Sequence, residues 1–292
     1  MKNQFRTVPG LIAGIAIMYI FVVSTTAETK QETLKIVDWN TLVSFNHKRA
    51  TDAGAQWIKN QAPDVVALQE LNGNTAEGLK KMAEKWGHKY AVILKEKGFP
   101  VGLTSTDKIE VIEKRVKGFH HGYLHARTHG IDFFVVHFWP GKDHEADVVI
   151  EKIKHLLLEK RSVIVCGDFN THSRHDKEYL AGNSMVKPVY DFVDKFEQAG
   201  FVDIVYKHSP NANYSFPSPI IIPRWVKTME EVKNKRQRID FVFADHLTQK
   251  SSISGVIMKS AVLDKISDHY PLVAEFHMPE KPTSIRNKKT ER

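Results

Sequence analysis

The stretch VIVCGDFNTHS, residues 163–173, joins a run of apolar residues directly to Gly167, Asp168, Phe169 and Asn170. The apolar run has the length and the β-branched content of a buried strand. A carboxylate and an amide that follow such a strand stand at the edge of a sheet, where binding sites of α/β proteins commonly form. A strand-end aspartate alone is more often a turn or a helix cap, so its neighbours in the fold decide its meaning.

Other polar residues stand at the ends of segments that also have strand character. They are Asn40, Glu70, His137, Asp240, Asp268 and His269. A single histidine in such a place is more often packed or hydrogen-bonded than catalytic. Together, however, these residues bring carboxylates, an amide and imidazoles to one end of a set of strands. A hydrated metal ion is the economical explanation of that combination.

The rest of the chain alternates strand and helix patterns. Strands are predicted at residues 34–39, 64–69, 90–94, 131–138, 162–166, 239–244, 254–258 and 272–278. Helices are predicted at residues 49–61, 75–86, 143–159 and 190–199. A second strand pattern ends before a turn at Gly130, in YLHARTHGIDFF. Mixed elements of this kind predict α/β layers, and no Pro-rich or Gly-rich linker divides residues 34–278, which favours one domain.

Composition excludes several classes of protein. The chain has 292 residues, of which 42% are hydrophobic, so it can bury a core and is not disordered in bulk. No repeat of solenoid length is visible. Cys166 is the only cysteine, which excludes an internal disulfide. Because it lies within an apolar run, we expect Cys166 to be a buried core residue rather than a nucleophile.

The N-terminus has the order of a secretory signal peptide. Lys2 and Arg6 precede an apolar run from Leu11 to Val23, and small polar residues follow up to Ala27. The apolar run is shorter than the roughly 20 residues that a membrane span needs. We therefore predict a signal peptide over residues 1–27 and export to the periplasm or the medium, with an uncleaved membrane anchor as the alternative.

The formal charge of +8 is concentrated in short segments. The tail, residues 279–292, has five basic and two acidic residues, and we predict that it is disordered. Residues 224–238 carry six basic and two acidic residues, so the remainder of the predicted domain is close to neutral. A local basic segment indicates a local anionic partner rather than a uniformly basic surface.

Six ordered motifs resemble those of the endonuclease/exonuclease/phosphatase superfamily. This superfamily includes pancreatic-type deoxyribonucleases, abasic-site endonucleases, sphingomyelinases and inositol-polyphosphate phosphatases. The motifs are KIVDWN (35–40), DVVALQE (64–70), VVHFWP (135–140), CGDFN (166–170), QRIDFVF (237–243) and SDHYPL (267–272). The resemblance implies a four-layer α/β/β/α sandwich with two central mixed sheets, formed by a catalytic domain over residues 28–278.

The resemblance also implies roles in a metal-dependent hydrolysis. Glu70 would be the principal ligand of Mg²⁺ or Mn²⁺, Asn40 would complete or position the metal shell, and Asp268 would be a second carboxylate beside the metal. Mg²⁺ prefers oxygen ligands and keeps several waters, which suits this set better than a zinc site does. The chain has fifteen histidines but no HExxH motif that would indicate zinc.

The remaining motif residues would act on the substrate. Asp168 would orient or deprotonate the attacking water, and Asn170 would hold a phosphate oxygen. His269 would contact the scissile phosphate, with Asp240 fixing its imidazole in the charged form. His137 would contact the oxyanion of the transition state or donate a proton to the leaving group.

Some positions depart from the family pattern or have two interpretations. Asp38 and Leu42 flank the WN pair where members often carry a small and a polar residue, which leaves the number of metals open. Of His120 and His121, strand alternation can point only one inward, and His121 is a candidate substrate contact. His172 follows GDFN and is a weaker candidate of the same kind; a structural role is the alternative for both.

The segment before Asp240 is the best guide to the substrate. Its Pro-rich apolar stretch, Trp225 and basic residues could bind a nucleic acid, could contact a lipid surface, or could be a packed loop followed by a solvated helix at residues 226–235. The basic candidates are Arg224, Lys235, Arg236 and Arg238. We expect an exported, monomeric phosphodiesterase, foremost a nuclease. The alternatives are a sphingomyelinase-like or inositol-phosphate enzyme and a catalytically silent binding module.

Overall fold

The computed structural model describes residues 32–278. The predicted signal peptide, residues 1–27, and the predicted basic tail, residues 279–292, therefore lie outside the described residues. Within residues 32–278, none of the helices has both the length and the apolar character needed to cross a bilayer.

In the part of the chain that the structure describes, twelve strands form two six-stranded sheets. In chain order they are β1 (Thr33–Asn40), β2 (Val65–Gln69), β3 (Tyr90–Ile93), β4 (Gly102–Ser105), β5 (Glu110–Arg115), β6 (Tyr123–Thr128), β7 (Ile131–His137), β8 (Ser162–Asp168), β9 (Val202–Asp203), β10 (Asp240–Ala244), β11 (Ser252–Ile257) and β12 (Leu272–His277). The first sheet has the order β11-β12-β1-β2-β4-β3, and the second has the order β5-β6-β7-β8-β10-β9. Both sheets are mixed, because β1 pairs with β2 and β7 pairs with β8 in parallel while their other pairings are antiparallel.

Seven α-helices accompany the sheets in the described part of the chain. They are α1 (Thr51–Gln61), α2 (Ala76–Glu84), α3 (His144–Leu158), α4 (Lys177–Ala181), α5 (Asp191–Gln198), α6 (Ile204–His208) and α7 (Met229–Asn234). Ile58 of α1 and Leu79 of α2 share one buried cluster with Val66 of the first sheet. Ile153 of α3 and Phe192 of α5 share another with the second sheet. Helices therefore cover the outer face of each sheet.

A third buried cluster lies between the two sheets. It joins Ile36 and Ala67 of the first sheet to Val135, Cys166 and Val242 of the second. Each valine, leucine, isoleucine or phenylalanine side chain removed from water contributes about 1.5–3 kcal/mol, so this interface is a major source of stability. The expected four-layer α/β/β/α sandwich is confirmed, and Cys166 is fully buried, as its apolar neighbours predict.

The pairing register brings the polar strand ends to one edge. Asn40 pairs with Gln69 at the end of β1 and β2, immediately before Glu70. His137 pairs with Asp168 at the end of β7 and β8. Since β10 runs antiparallel to β8, its first residue, Asp240, also pairs with Asp168. The carboxyl ends of the two parallel pairs and the start of β10 thus meet where the site forms.

The elements that sequence patterns missed are short or exposed. The strand β4 has the sequence GLTS, and β9 has only two residues, so neither carries a strand pattern. The edge strand β5, EVIEKR, is mostly exposed and charged, as suits a strand at the edge of a sheet. Because it lacks an alternating or continuous apolar pattern, the sequence does not predict it. The short helices α4 and α6 were also missed, while α7 lies within the solvated helix weighed at residues 226–235.

Candidate active site

The turn after β8 explains why a buried strand ends in glycine, aspartate and asparagine. Gly167 has a φ of +140°, and a Cβ there would collide with the carbonyl oxygen of Val136 on β7, so only glycine fits. The backbone N–H of Asn170 donates to Asp168 Oδ1 over 2.8 Å, and Asn170 Nδ2 donates to the Phe138 carbonyl over 3.1 Å. These bonds fix the side chains of Asp168 and Asn170 at the carboxyl end of β8.

Asn40 links the two carboxylates that come from different sheets. Its Nδ2 donates to Asp168 Oδ2 over 2.9 Å and to Glu70 Oε1 over 3.2 Å. Its Oδ1 accepts the backbone N–H of Leu42 over 3.2 Å. In this arrangement the amide nitrogen, not the oxygen, faces the carboxylates. In the described residues Asn40 thus holds Glu70 and Asp168 by hydrogen bonds, and its role in a metal shell stays a prediction.

Glu70 is held by the segment that follows β1. The backbone N–H of Val43 donates to Glu70 Oε2 over 3.1 Å, and that of Ser44 donates to the Glu70 carbonyl over 2.8 Å. Glu70 itself has a φ of +57°, in the left-handed region that costs a non-glycine residue about 1–3 kcal/mol. Strain of this size persists only where surrounding contacts impose it, and here the contacts place a half-buried carboxylate on the cleft.

His269 and Asp240 form a buried pair. His269 Nδ1 lies 2.9 Å from Asp240 Oδ2 and 3.1 Å from Oδ1. Burial alone would lower the pKa of His269, but the charge and hydrogen bonds of Asp240 outweigh it, and the pKa is raised well above its ordinary value. The imidazolium directs its other nitrogen, Nε2, toward Asp168, whose Oδ2 is 3.8 Å away.

Burial and mutual repulsion raise the pKa of two carboxyl groups in the site. The pKa of Asp168 rises to about 8, chiefly through burial and then through the charge of Asp240. The pKa of Asp268 rises to about 6, chiefly through burial, while the charge of Glu70 also raises it and that of His269 lowers it. A bound cation would reverse these effects, because it stabilises the ionised carboxylates. The donor set therefore fits a hard divalent cation.

The atoms offer more than one way to hold a cation. Carboxylate oxygens of Asp168 and Asp240 and a ring nitrogen of His269 lie within 4.8 Å of one another. His269 Nδ1 is engaged by Asp240, however, so we regard this group chiefly as a hydrogen-bonded pair beside a carboxylate. Glu70 and Asp268, which border the same cleft, carry carboxylate oxygens, the type of ligand that Mg²⁺ prefers.

His137 and His121 form a stacked pair on one wall of the cleft. Their ring centroids are 4.2 Å apart, and both side chains are buried. His137 Nε2 lies 3.6 Å from Asp168 Oδ2, whereas His137 Nδ1 and His121 Nε2 have no hydrogen-bond partner among the described residues. Burial lowers the pKa of His121 to about 4 and lowers that of His137 well below its ordinary value. Both imidazoles are neutral at neutral pH.

The cleft has a volume of about 460 Å³. Of the residues predicted for the site, it is lined by Glu70, His137, Asp168, Asn170, Asp268 and His269. Asn40 and Asp240 lie behind this surface and hydrogen-bond to its residues. The structure thus brings together the eight motif residues that the resemblance implies for catalysis or metal binding.

Further residues complete the walls of the cleft. Phe99, Trp139 and Trp225 are exposed aromatic side chains there, and Lys95 also lines the cleft; the sequence pointed to Trp225 as a possible substrate contact. His120 stacks on Trp139, with ring centroids 4.7 Å apart. Trp139 follows His137 within VVHFWP, so the motif points to its place. Phe99 and Lys95 lie in a connection that no sequence pattern marks.

Two basic or imidazole candidates prove to be structural. Arg238 is 1% exposed and pairs with Asp176 and Asp203, so the expectation that it contacts a nucleic acid is wrong. Its two carboxylate partners, Asp176 before α4 and Asp203 at the end of β9, are themselves buried and hold the guanidinium in the interior. His172 is buried between the Val189 backbone and Gln237, and it does not line the cleft.

Asp38, which departs from the family pattern, is also buried. Gln69 Nε2 donates to its Oδ1 over 2.8 Å, and its Oδ2 has no partner among the described residues. Burial raises the pKa of Asp38 well above its ordinary value, with the charge of Asp240 adding to the rise. Asp38 lies two residues before Asn40 on β1, so both side chains face the second sheet. Asp38 is buried next to the site and does not line the cleft.

Three solved structures share this fold. The structure of an AP endonuclease from Archaeoglobus fulgidus matches with a TM-score of 0.61 and 22% identity. NExo from Neisseria, a 3′ phosphatase whose structure holds a product DNA hairpin, matches with a TM-score of 0.65 and 15% identity. The 3′-5′ exonuclease NExo from Neisseria meningitidis matches with a TM-score of 0.61 and 16% identity. Each match covers 83% of this chain and 99% of the other.

No curated protein matches the chain. The family model described as "Endonuclease/Exonuclease/phosphatase family" matches residues 39–269, a range that begins beside Asn40 and ends at His269. The matched range contains every residue that builds the cleft. The chain therefore belongs to the endonuclease/exonuclease/phosphatase family, as a hydrolase that acts on phosphoester bonds.

Proposed function

We propose that the protein is an exported, divalent-metal-dependent phosphoesterase that hydrolyses phosphodiester bonds in nucleic acid. One observation carries the proposal: Glu70, Asp168 and Asp268 meet on one cleft beside a histidine that Asp240 keeps charged. A divalent cation would stabilise the ionised form of buried carboxylates that repel one another, and a fixed imidazolium suits an anionic substrate.

Glu70 and Asp268 would hold Mg²⁺ or Mn²⁺, with Asn40 keeping Glu70 in place. When bound, the ion supplies positive charge to the phosphoryl oxygens and to the departing alkoxide. Asp168, a third carboxylate of the cleft, accepts hydrogen bonds from Asn40 and from the Asn170 backbone. These bonds fix the direction of its Oδ2.

His269 would bind the scissile phosphate. Its Nδ1 is engaged by Asp240, so its Nε2–H is the free donor and points into the cleft near Asp168. A donor that is already oriented loses little entropy when the substrate binds and strengthens its bond as negative charge develops. Asn170 lies on the same side and would hold a second phosphoryl oxygen.

Asp168 would act on the attacking water. Hydrogen bonds from Asn40 and Asn170 fix the Asp168 carboxylate on the cleft, and in its ionised form, which a bound cation favours, it can accept a proton from water. His137 Nε2 lies 3.6 Å from Asp168. Because the pKa of His137 is lowered, we assign it a neutral hydrogen bond to the transition-state oxyanion rather than proton donation to the leaving group.

Exposed aromatic side chains on the cleft support a nucleic-acid substrate. Phe99, Trp139 and Trp225 present ring surface beside the catalytic residues, and bases stack on such rings with about 1–3 kcal/mol each. The product DNA hairpin in the Neisseria NExo structure is consistent with this choice of substrate. Exposed Arg224 and the half-buried Lys235 and Arg236 remain available to a phosphate backbone. Export is proposed from the order of residues 1–27.

The test is a side-by-side assay of the purified protein on plasmid DNA, RNA, sphingomyelin and an inositol phosphate, with Mg²⁺ or with a chelator. We expect Mg²⁺-dependent cleavage of nucleic acid by the wild type and by the control Asp191→Asn, an exposed aspartate of α5 outside the cleft. Asp168→Asn should abolish cleavage. Hydrolysis of sphingomyelin alone would overturn the nuclease assignment, and a folded protein that hydrolyses none of the substrates would indicate a binding module.

A further inference from the structure

A second cavity adjoins the catalytic cleft and has a different chemical character. It has a volume of about 420 Å³, and Trp225 and Asp268 line both cavities. Three nitrogen-rich side chains line the second cavity, namely His47, Arg49 and Arg224. The catalytic cleft holds several carboxylates, whereas Asp268 is the one carboxylate among the described residues that line this cavity. The proposed function uses neither Arg49 nor His47.

The two arginines of this cavity lack carboxylate partners. Neither Arg49 nor Arg224 forms an ion pair with any carboxylate of residues 32–278, whereas Arg161, Arg174 and Arg238 all do. Arg224 Nη1 instead lies 3.1 Å from His47 Nε2, and its guanidinium lies 5.6 Å from the centroid of the Trp225 ring. A guanidinium bound in this way keeps most of its five N–H donors free. The cavity therefore presents unpaired positive charge to a ligand.

The wall that carries His47 and Arg49 is tied to the metal-side carboxylate Glu70. Every residue from Leu42 to Lys48 has a positive φ, between +47° and +69°. Such a left-handed run is unfavourable for L-residues, so it depends on bonds that impose it. Those bonds include the ones from the Val43 and Ser44 N–H groups to Glu70.

The opposite wall, which carries Arg224 and Trp225, is tied to the other metal-side carboxylate. The Ser218 N–H donates to the Asp268 carbonyl over 2.8 Å, and the Ser218 hydroxyl donates to the Ser267 carbonyl over 2.6 Å. The Trp225 N–H donates to the Ile221 carbonyl over 2.8 Å. Since both walls are bonded to residues of the catalytic cleft, the separation of the two cavities is fixed by the fold.

We propose that this cavity binds a second phosphate group of the substrate, next to the phosphate that is hydrolysed. The inference rests on the proposed function and narrows its substrate class to molecules with two neighbouring phosphates. Arginine suits this role because its planar fork matches two phosphate oxygens. A polynucleotide and a multiply phosphorylated small ester both supply such a group, whereas a phospholipid with one phosphodiester does not.

The first test is a binding measurement that does not depend on turnover. Thymidine 3′,5′-bisphosphate and thymidine 5′-monophosphate are titrated calorimetrically into the wild type, into R49Q/R224Q and into Lys233→Gln. Lys233 is an exposed lysine of α7 that lines neither cavity, so it is the matched control. We expect the wild type and the control to bind the bisphosphate at least about tenfold more tightly than the monophosphate, and R49Q/R224Q to lose that preference.

The second test separates the subsite from the chemistry. For each protein, kcat and KM are compared on a dinucleotide that carries an additional phosphate, on inositol 1,4-bisphosphate and on bis(p-nitrophenyl) phosphate. The ratio of kcat/KM between the two-phosphate substrate and bis(p-nitrophenyl) phosphate should fall about tenfold or more in R49Q/R224Q, through KM rather than kcat. Whichever two-phosphate substrate shows the fall is the source of the phosphate.

The possible outcomes test the proposed function and the second phosphate site separately. A wild type that hydrolyses none of these esters refutes the proposed function, while the bisphosphate titration still tests the subsite. Equal losses on all substrates, or an unchanged preference in a variant whose thermal melt is normal, would overturn the second phosphate site. A double variant that fails to fold is replaced by Arg224→Gln alone, since Arg224 is exposed and has no ion pair among the described residues.

Discussion

Replacing Asp240 with asparagine removes the charge that keeps His269 protonated and preserves the shape of the side chain. The His269 Nδ1 lies 2.9 and 3.1 Å from the two Asp240 oxygens, and both groups are buried. At about 3 Å and an effective dielectric constant of about 20, the attraction is about 5 kcal/mol before the cost of burying the charges is subtracted. We expect turnover at neutral pH to fall about 100- to 10,000-fold, which is about 2.7–5.4 kcal/mol of activation free energy.

The pH dependence of Asp240→Asn has a definite sign. In the wild type the pKa of His269 is raised well above its ordinary value, so the imidazolium persists at neutral pH and is lost as the pH rises through the raised pKa. In the variant, burial lowers that pKa and only the weaker effects of Asp268 and Asp168 oppose it, so the imidazolium and the activity are lost at a lower pH than in the wild type. Stability follows the same linkage: the pair contributes fully below the unfolded pKa of about 6.5, and its contribution disappears as the pH rises through the folded pKa.

The assay is the pH profile of kcat on bis(p-nitrophenyl) phosphate with Mg²⁺, for the wild type, Asp240→Asn and the exposed control Asp191→Asn. The variant should be slow at neutral pH, and its activity should fall with rising pH at a lower pH than that of the wild type, while the control should follow the wild type. A variant with wild-type turnover and an unchanged profile would refute the assignment of His269 as a charged phosphate ligand.

Further predictions concern stability, the cation and the basic segment. Arg238→Ala should cost about 3–5 kcal/mol in the free energy of unfolding by urea titration, because it strands two buried carboxylates; a loss below about 1 kcal/mol would contradict that reasoning. Gly167→Ala should lower the melting temperature and the activity together, because its Cβ meets the Val136 carbonyl; an unchanged melt would show that the turn can relax. A chelator should abolish hydrolysis and Mg²⁺ or Mn²⁺ should restore it, whereas rescue by zinc alone would overturn the choice of cation. Lys235→Glu should reduce the salt dependence of DNA binding in a filter assay, and salt-indifferent binding by the wild type would count against a nucleic acid.

Sequence patterns predicted the elements that pack on both faces of a sheet or along one face of a helix. The strand expected at residues 64–69 is Val65–Gln69, and the helix expected at residues 143–159 is His144–Leu158. Continuous apolar runs and helical periodicity are strong signals because burial imposes them on the sequence. The polar strand ends were visible for the same reason, since each one interrupts an apolar run.

The features that sequence patterns did not predict depend on contacts between segments that are distant in the chain. The left-handed run from Leu42 to Lys48 has no glycine, so its backbone conformation follows from bonds to Glu70 and not from local propensity. Arg238 is basic in sequence and buried in the fold, because its partners come from two other segments. The cavity beside Asp268 forms between two segments that are distant in sequence. Arg224 and His47, which contact each other there, are 177 residues apart in the chain.

The most direct measurement of the central claim is a calorimetric titration of Mn²⁺ into the wild type, Glu70→Gln, Asp268→Asn and Asp191→Asn. If strand-end carboxylates from both halves of the chain share one hydrated cation, the wild type and Asp191→Asn bind Mn²⁺ and the two cleft variants lose most of that binding. Binding that is equal in all four proteins, or absent from a folded wild type, would contradict the account.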